Sequence, residues 1–302
     1  MGLPAVLVSA LAAFSLLGCS PQPAPSRVED SLTSGRIRVV CAPEAERLIA
    51  REQTAFAALY LDAHFEMRTG SSREAVRALF AAECDLAIIT RELDVGERAA
   101  AVRGRLELDG YRFARDAVVA VVHPDNGIEN MSVEQLRGIY EGTLARWSEM
   151  GGRPEAIEPV IQPMDSDITQ FFLEEVMGES PIRARVYTEP SDSAVVARVA
   201  ANRAALGFIS MAWADRGAKA LRVASVTGLP YLLADPEAVY NGTYALTRFD
   251  NLYVRSDGPR LANGFITFVT SREGQAVVRD CGLVPTSVPV RFVRRSPLRG
   301  SH

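Results

Sequence analysis

Lysine is almost missing from this chain of 302 residues: Lys219 is the only one, and the remaining cationic side chains are arginines and three histidines (His64, His123 and His302). Cysteine is also scarce, at four residues. Metal centres are usually built from several imidazole or thiolate ligands, so this composition argues against one, and neither metal nor cofactor is expected. Positive charge is in deficit as well. A formal net charge of −4 and an isoelectric point near 5.6 argue against the basic face that nucleic-acid binding requires. Catalytic signatures are absent: the chain has no Gly-x-Ser-x-Gly elbow, Walker loop, His-Glu-x-x-His or dinucleotide fingerprint. Asp165 and Asp167 stand close in sequence, but residues two apart at a helix start splay in different directions and make a poor acid–base pair. No enzyme is expected, and no catalytic residue is assigned.

Long apolar runs are confined to the start of the chain. Residues 3 to 17 are apolar and uncharged, too short to span a bilayer comfortably and suited to a signal-peptide core. They end in Leu16-Leu17-Gly18-Cys19-Ser20, which resembles the lipobox of bacterial lipoproteins. That resemblance implies cleavage after a signal peptide of residues 1–18 and lipidation of Cys19. The product would be exported and anchored to the cell envelope, on the periplasmic side in a Gram-negative organism or the outer face of the membrane in a Gram-positive one. Residues 20 to 35 are polar and Pro-rich and read as an extended tether, so that 19–35 link lipid to folded body. No later segment reaches about 18 uninterrupted apolar residues, so nothing else should cross a membrane. Among Cys41, Cys84 and Cys281, either two pair or all three are small buried hydrophobes.

The body, at 48% hydrophobic residues overall, has material for two packed units. From Arg36 onward, β-rich runs alternate with amphipathic helical patterns: strands at 37–41, 64–68 and 85–89, helices at 45–60 and 73–82. This order predicts parallel strands covered by helices. A strong strand at 117–122 follows, then a helix capped by Ser132, a strand at 158–162, and helices at 169–177 and 191–202. Strands at 206–210 and 251–255 and helices at 261–270 and 272–280 complete the pattern. Residues 291–302 form a basic tail expected to fray.

Parallel α/β sheets bind ligands beyond the carboxyl ends of their strands, where helix starts present free N–H groups. Three sites fit. Gly70-Ser71-Ser72 lies between a strand and a helix, and the plain alternative is a helix cap. Thr90-Arg91 follows the strand at 85–89, where Arg91 is either a ligand or a surface partner of Glu92 or Asp94. Asp165-Ser166-Asp167-Ile168-Thr169 opens a helix, and the alternative there is an acidic capping box.

Several runs together resemble the phosphate-specific ABC-transporter substrate-binding proteins. They are Thr69-Gly70-Ser71-Ser72, Glu83 to Leu93, Val121 to Asn126, Ser132 to Tyr140, Arg146 to Glu149, Leu206 to Ile209 and Ala262 to Gln275, in that order. The likeness extends over residues 36 to 286. It implies a two-lobed, type II-like periplasmic-binding-protein fold, each lobe a mixed, mostly parallel sheet flanked by helices, with a cleft between. Lobe 1 would comprise 36–115 plus 232–290 and lobe 2 116–231, with crossings near 113–117 and 231–251. The resemblance also implies a monomer that captures a phosphate-like anion by hinge closure and delivers it to an ABC permease. Carried over by position, the ligand-binding residues are Ser71, Ser72, Thr90, Arg91, Ser166, Asp167 and Thr169. Three departures stand against high-affinity phosphate binding: Cys41-Ala42-Pro43-Glu44 in a loop usually rich in hydroxyls, Gln162 where an Arg is usual, and Asp167 in a usual Gly-Ser-Gly run. An altered cleft would suit a sensor, an envelope interaction protein or a receptor for another small molecule.

Overall fold

A computed structural model describes residues 29–286. The expected signal peptide 1–18, the lipidation site Cys19, tether residues 20–28 and the tail 291–302 lie outside the described residues.

Alternation within the first strand shows how the core is built. In β1 (Gly35–Cys41), Ile37, Val39 and Cys41 enter one apolar cluster while Val40 enters another on the opposite face. Helix α1 (Glu46–Leu59) buries Leu48, Ile49 and Phe56, the helical spacing of a single face. Strand β2 (Ala63–Thr69), helix α2 (Ser72–Phe80), strand β3 (Leu86–Ile89) and helix α3 (Val95–Gly104) follow. Strand β4 (Leu108–Val122) is long enough to serve two cores. Its Phe113 and Ala114 pack with β1 and α1, whereas Ala117, Val118, Ala120 and Val122 pack in the second lobe.

That second lobe contains β5 (Asn130–Ser132), α4 (Val133–Glu141), β6 (Glu158–Ile161), α5 (Asp167–Phe172) and β7 (Tyr187–Thr188). It continues through α6 (Asp192–Ala201), β8 (Ala205–Ser210), β9 (Lys219–Ala220) and β10 (Arg222–Ala224). Helix α7 (Pro236–Tyr240), which the expected boundary at 231 puts in lobe 1, packs Ala238 and Val239 into this second core. Phe172 stacks on Phe208 at 4.2 Å between centroids, with Tyr140 edge-on to Phe172 at 4.7 Å. Strand β11 (Thr247–Arg255) returns to the first lobe, and α8 (Arg260–Val269), α9 (Arg272–Asp280) and β12 (Val284–Pro285) close it.

One sheet runs through both lobes in the order β2-β1-β3-β11-β4-β8-β6-β7, with β9 and β12 also pairing with β4. Strands β1, β2 and β3 are parallel in one lobe and β6, β7 and β8 in the other. β11 runs antiparallel to both β3 and β4, and β4 antiparallel to β8. The two parallel sets point the carboxyl ends of their strands at a shared cleft. A separate parallel pair joins β5 and β10.

The expected tether needs one correction. Residues after Asp30 already belong to the folded body, because Asp30 supplies what α8 lacks. Pro259 has no side-chain cap to offer, and the Asp30 carboxylate accepts from the N–H groups of Arg260 and Leu261 at 3.0 and 3.3 Å. Gly264 lets this segment lie flat on α8, since a Cβ there would sit 1.7 Å from the Leu32 carbonyl oxygen.

Candidate anion cleft

Between the lobes lies a cleft of about 520 Å³. Lobe 1 contributes Glu44, just after β1, Ser72 at the first turn of α2, and Thr90, directly after β3. Lobe 2 contributes Gln162 after β6, Asp167 at the start of α5, Asp192 at the start of α6 and Ser210 ending β8. Asp116 of β4, with Arg248 and Asp250 of β11, also lines it.

The lobe 1 hydroxyls converge on one atom. Asp167 Oδ2 accepts hydrogen bonds from Ser72 Oγ, from Thr90 Oγ1 at 2.7 Å and from the Thr90 backbone N–H at 3.3 Å. Asp167 is only 6% exposed. Its other oxygen lies 3.8 Å from Arg91 Nε. Two hydroxyls and an amide arranged around an anionic oxygen are a cradle for an oxyanion, and a carboxylate from the opposite lobe occupies it. The reciprocal bond runs the other way: the Asp167 N–H donates to Glu44 Oε1 at 3.1 Å. Loss of solvent, and then the neighbouring Asp167 charge, push the Glu44 carboxyl up to about 7.

Of the other residues predicted from sequence, Arg91 reaches the edge of this cradle but is held by Glu97. Nη1 and Nη2 donate to the Glu97 carboxylate at 2.7 Å, and Nη1 also donates to the Glu92 backbone carbonyl at 2.9 Å. Ser71 lines the cleft but acts as the helix cap, in a reciprocal box with Glu74. Ser166 lines the cleft, whereas Thr169 is a correction. Ser166 caps α5 and donates to the Pro163 carbonyl at 2.8 Å, while the fully buried Thr169 donates its hydroxyl to the Gln162 carbonyl at 3.2 Å. Thr169 is two residues past Asp167 on α5, about 200° round the helix, so its side chain faces the lobe interior.

Sequence reasoning missed Asp116, Asp192, Arg248 and Asp250. Asp116 stands directly opposite Arg248 in the β4–β11 register and accepts from its Nε and Nη2 at 3.0 and 2.8 Å. Both side chains are 3% exposed. Asp116 also accepts from Ser210 Oγ and the Met211 N–H, so this one carboxylate joins β4, β11 and the end of β8. Arg248 thus puts a guanidinium on the cleft wall where Gln162 had suggested that none remained. Its Nη1 has no hydrogen-bond partner among the described residues. Gln162 instead donates to Asp192 Oδ1 at 2.7 Å, which also accepts from the Ser210 N–H. Burial, only partly offset by Arg248, raises Asp192 to about 6. Burial and the Asp116 charge hold Asp250 well above the ordinary carboxylate range, which favours its protonated form. Among the described residues, no cluster of His, Cys, Asp and Glu side chains suits a metal ion, Cys41, Cys84 and Cys281 are unpaired, and no helix is long and apolar enough to cross a membrane.

Two α/β lobes joined through one sheet, with a polar cleft between facing strand ends, are the architecture of a two-lobed periplasmic-binding-protein fold. The chain belongs to the PBP (periplasmic-binding-protein) superfamily, whose domain model matches residues 27–273. It is 23% identical over 283 residues to the phosphate-binding protein PstS of Pseudomonas aeruginosa, covering 88% of each chain. Its structure is similar to that of a Clostridium perfringens protein solved with bound phosphate, with a TM-score of 0.72, 22% identity and coverage of 84% of this chain and all of that one. An ABC-type phosphate transport receptor from Vibrio cholerae gives a TM-score of 0.70 at 22% identity, over 82% of this chain and 99% of the other. At these identities the structural likeness establishes the fold.

Proposed function

We propose that this protein is the extracytoplasmic solute-binding component of an ABC importer, taking phosphate or a related oxyanion and passing it to an ABC permease. The observation that carries the proposal is the convergence of Ser72 Oγ, Thr90 Oγ1 and the Thr90 N–H on a single anionic oxygen. The names of the Pseudomonas and Vibrio relatives support phosphate as the ligand class. Ser72 and Thr90 would donate to the bound oxyanion and Arg248 would offset its charge from the cleft wall. Capture is by hinge closure: a ligand that bonds to both lobes favours the closed population. The protein would act as a monomer without catalysis or cofactor, held at the envelope by a lipid on Cys19.

One observation favours a second reading, in which the cleft has been turned to sensing or to another small molecule: the cradle already holds Asp167. Isothermal titration of the purified protein with inorganic phosphate, and with sulfate, arsenate and molybdate for comparison, decides between them. Micromolar or tighter phosphate binding is the expected result. Folded protein that gives no heat with any of the four oxyanions would overturn the transport reading.

A further inference from the structure

Each lobe lends a carboxylate to the other. Asp167 leaves α5 and enters the lobe 1 cradle, where three donors meet its Oδ2, and Glu44 leaves lobe 1 to accept the first free N–H of α5. Both contacts cross the cleft. The donors that an incoming oxyanion needs are therefore already satisfied by a side chain that cannot diffuse away. A tethered group competes at an effective concentration far above that of most free solutes, on the order of millimolar even for a loose linker. Asp167 is mostly buried and sits on a helix packed by Ile168 and Phe172 into the lobe 2 core, so it is held close to this position.

We infer that Asp167 is a resident substitute ligand, a carboxylate that holds the two lobes together in the absence of solute and sets the affinity of the cleft by having to be displaced. This rests on the oxyanion-receptor reading of the same site. Solute entry is then an exchange: a transient opening withdraws Asp167 with lobe 2, the oxyanion takes the Ser72 and Thr90 donors, and the lobes reclose on it with Asp167 displaced from the cradle. Only ligands that bond to the cradle better than a carboxylate does would displace it, which makes Asp167 a selector as well as a clasp. The Glu44 contact belongs to the same clasp, because withdrawal of Asp167 also releases its N–H.

The test compares wild type, Asp167→Gly and Asp167→Asn by small-angle X-ray scattering without ligand and by titration with inorganic phosphate. The glycine variant removes the substitute ligand. The asparagine variant keeps its volume without its charge and carries the test if glycine impairs folding. Expected are a compact wild type and a more extended Asp167→Gly protein without phosphate, with phosphate binding at least tenfold tighter in Asp167→Gly and a smaller gain in Asp167→Asn. If the variants open but no form binds phosphate, the clasp stands and the phosphate reading falls. If all three bind phosphate equally, or the ligand-free variants stay as compact as wild type, the inference about Asp167 is overturned while the phosphate reading is judged by the wild-type titration alone.

Discussion

Glu44 is the group through which pH should act on ligand capture. Desolvation and the adjacent Asp167 bring its carboxyl from an ordinary 4.5 to about 7. With that value, roughly nine-tenths of the protein carries neutral Glu44 at pH 6 and about one-tenth at pH 8. A like charge about 4 Å from an arriving anion costs about 4 kcal/mol at an effective dielectric of 20, so the ionised form should be nearly closed to an oxyanion. When only a fraction of the protein is competent, apparent affinity falls by that fraction, here about tenfold between pH 6 and pH 8. Glu44→Gln removes the charge but keeps an oxygen to accept the Asp167 N–H. The assay is phosphate titration of wild type and Glu44→Gln at half-unit steps from pH 6 to 8. Phosphate's own ionisation affects both proteins alike and cancels in the ratio of their dissociation constants, which should rise about tenfold across the range. The same raised pKa means that the folded state holds this proton more tightly than the unfolded chain. Glu44's contribution to stability is therefore greatest below about 4.5 and is lost as pH rises through about 7. A ratio that stays flat from pH 6 to 8 would refute the reasoning, since it would mean that Glu44 does not titrate where an anion feels it.

In the Asp167→Gly background, where no resident carboxylate competes for the same donor, Thr90→Val keeps the shape of the cradle and removes one hydroxyl; a hydrogen bond to a charged group contributes about 1.5–3 kcal/mol, so phosphate should bind about 10- to 150-fold more weakly by titration. A loss below about threefold would take Thr90 Oγ1 out of the ligand shell. Glu52 lies fully buried on α1 with neither carboxylate oxygen partnered among the described residues, and burial raises it from 4.5 to about 8. Keeping it protonated at pH 7 costs roughly 3 kcal/mol relative to the unfolded chain, a penalty that grows as pH rises from the ordinary carboxylate range towards 8. Urea unfolding at pH 5 and pH 8 should show Glu52→Gln gaining stability over wild type at the higher pH, and equal gains at both would contradict the assignment.

The parts of this molecule that were legible in its sequence are those that local chemistry writes. Ser72 and Thr90 could be nominated because a residue just after a buried strand, or at the first turn of a helix, faces the strand ends wherever the rest of the chain goes. Helix α3 escaped notice because its apolar residues are spread around it: it buries Ala101 while Val95 and Val102 remain exposed, so no stripe marks it, and only the Asp94–Glu97 capping box signals its start. Thr169 matches by position, yet a side chain two residues beyond Asp167 on a helix points to the opposite face, and spacing alone does not tell which rotation the helix adopts.

The electrostatics of the cleft were illegible for a different reason. Arg248 meets Asp116 because the antiparallel register of β11 on β4 sets them opposite each other, 132 residues apart in sequence. The apolar run predicts a strand beginning at Asn251, which leaves Arg248 and Asp250 outside it, although two charged residues flanking Phe249 beside an apolar strand are a usable sign of buried charge. A buried ion pair costs desolvation and adds little stability by comparison with apolar packing. Its position therefore matters more than its strength. It fixes β4 to β11 and to the end of β8 where the sheet passes from one lobe to the other, and it supplies the cation that offsets Glu44, Asp192 and Asp250. The cation of the cleft is thus placed by the register of the crossing strands, while the carboxylate in the cradle comes from the loop that opens α5. Asp167 also acts on the charge balance, because it raises Glu44, so a substitution there would change a cradle contact and the cleft's charge together while leaving the crossing strands in place.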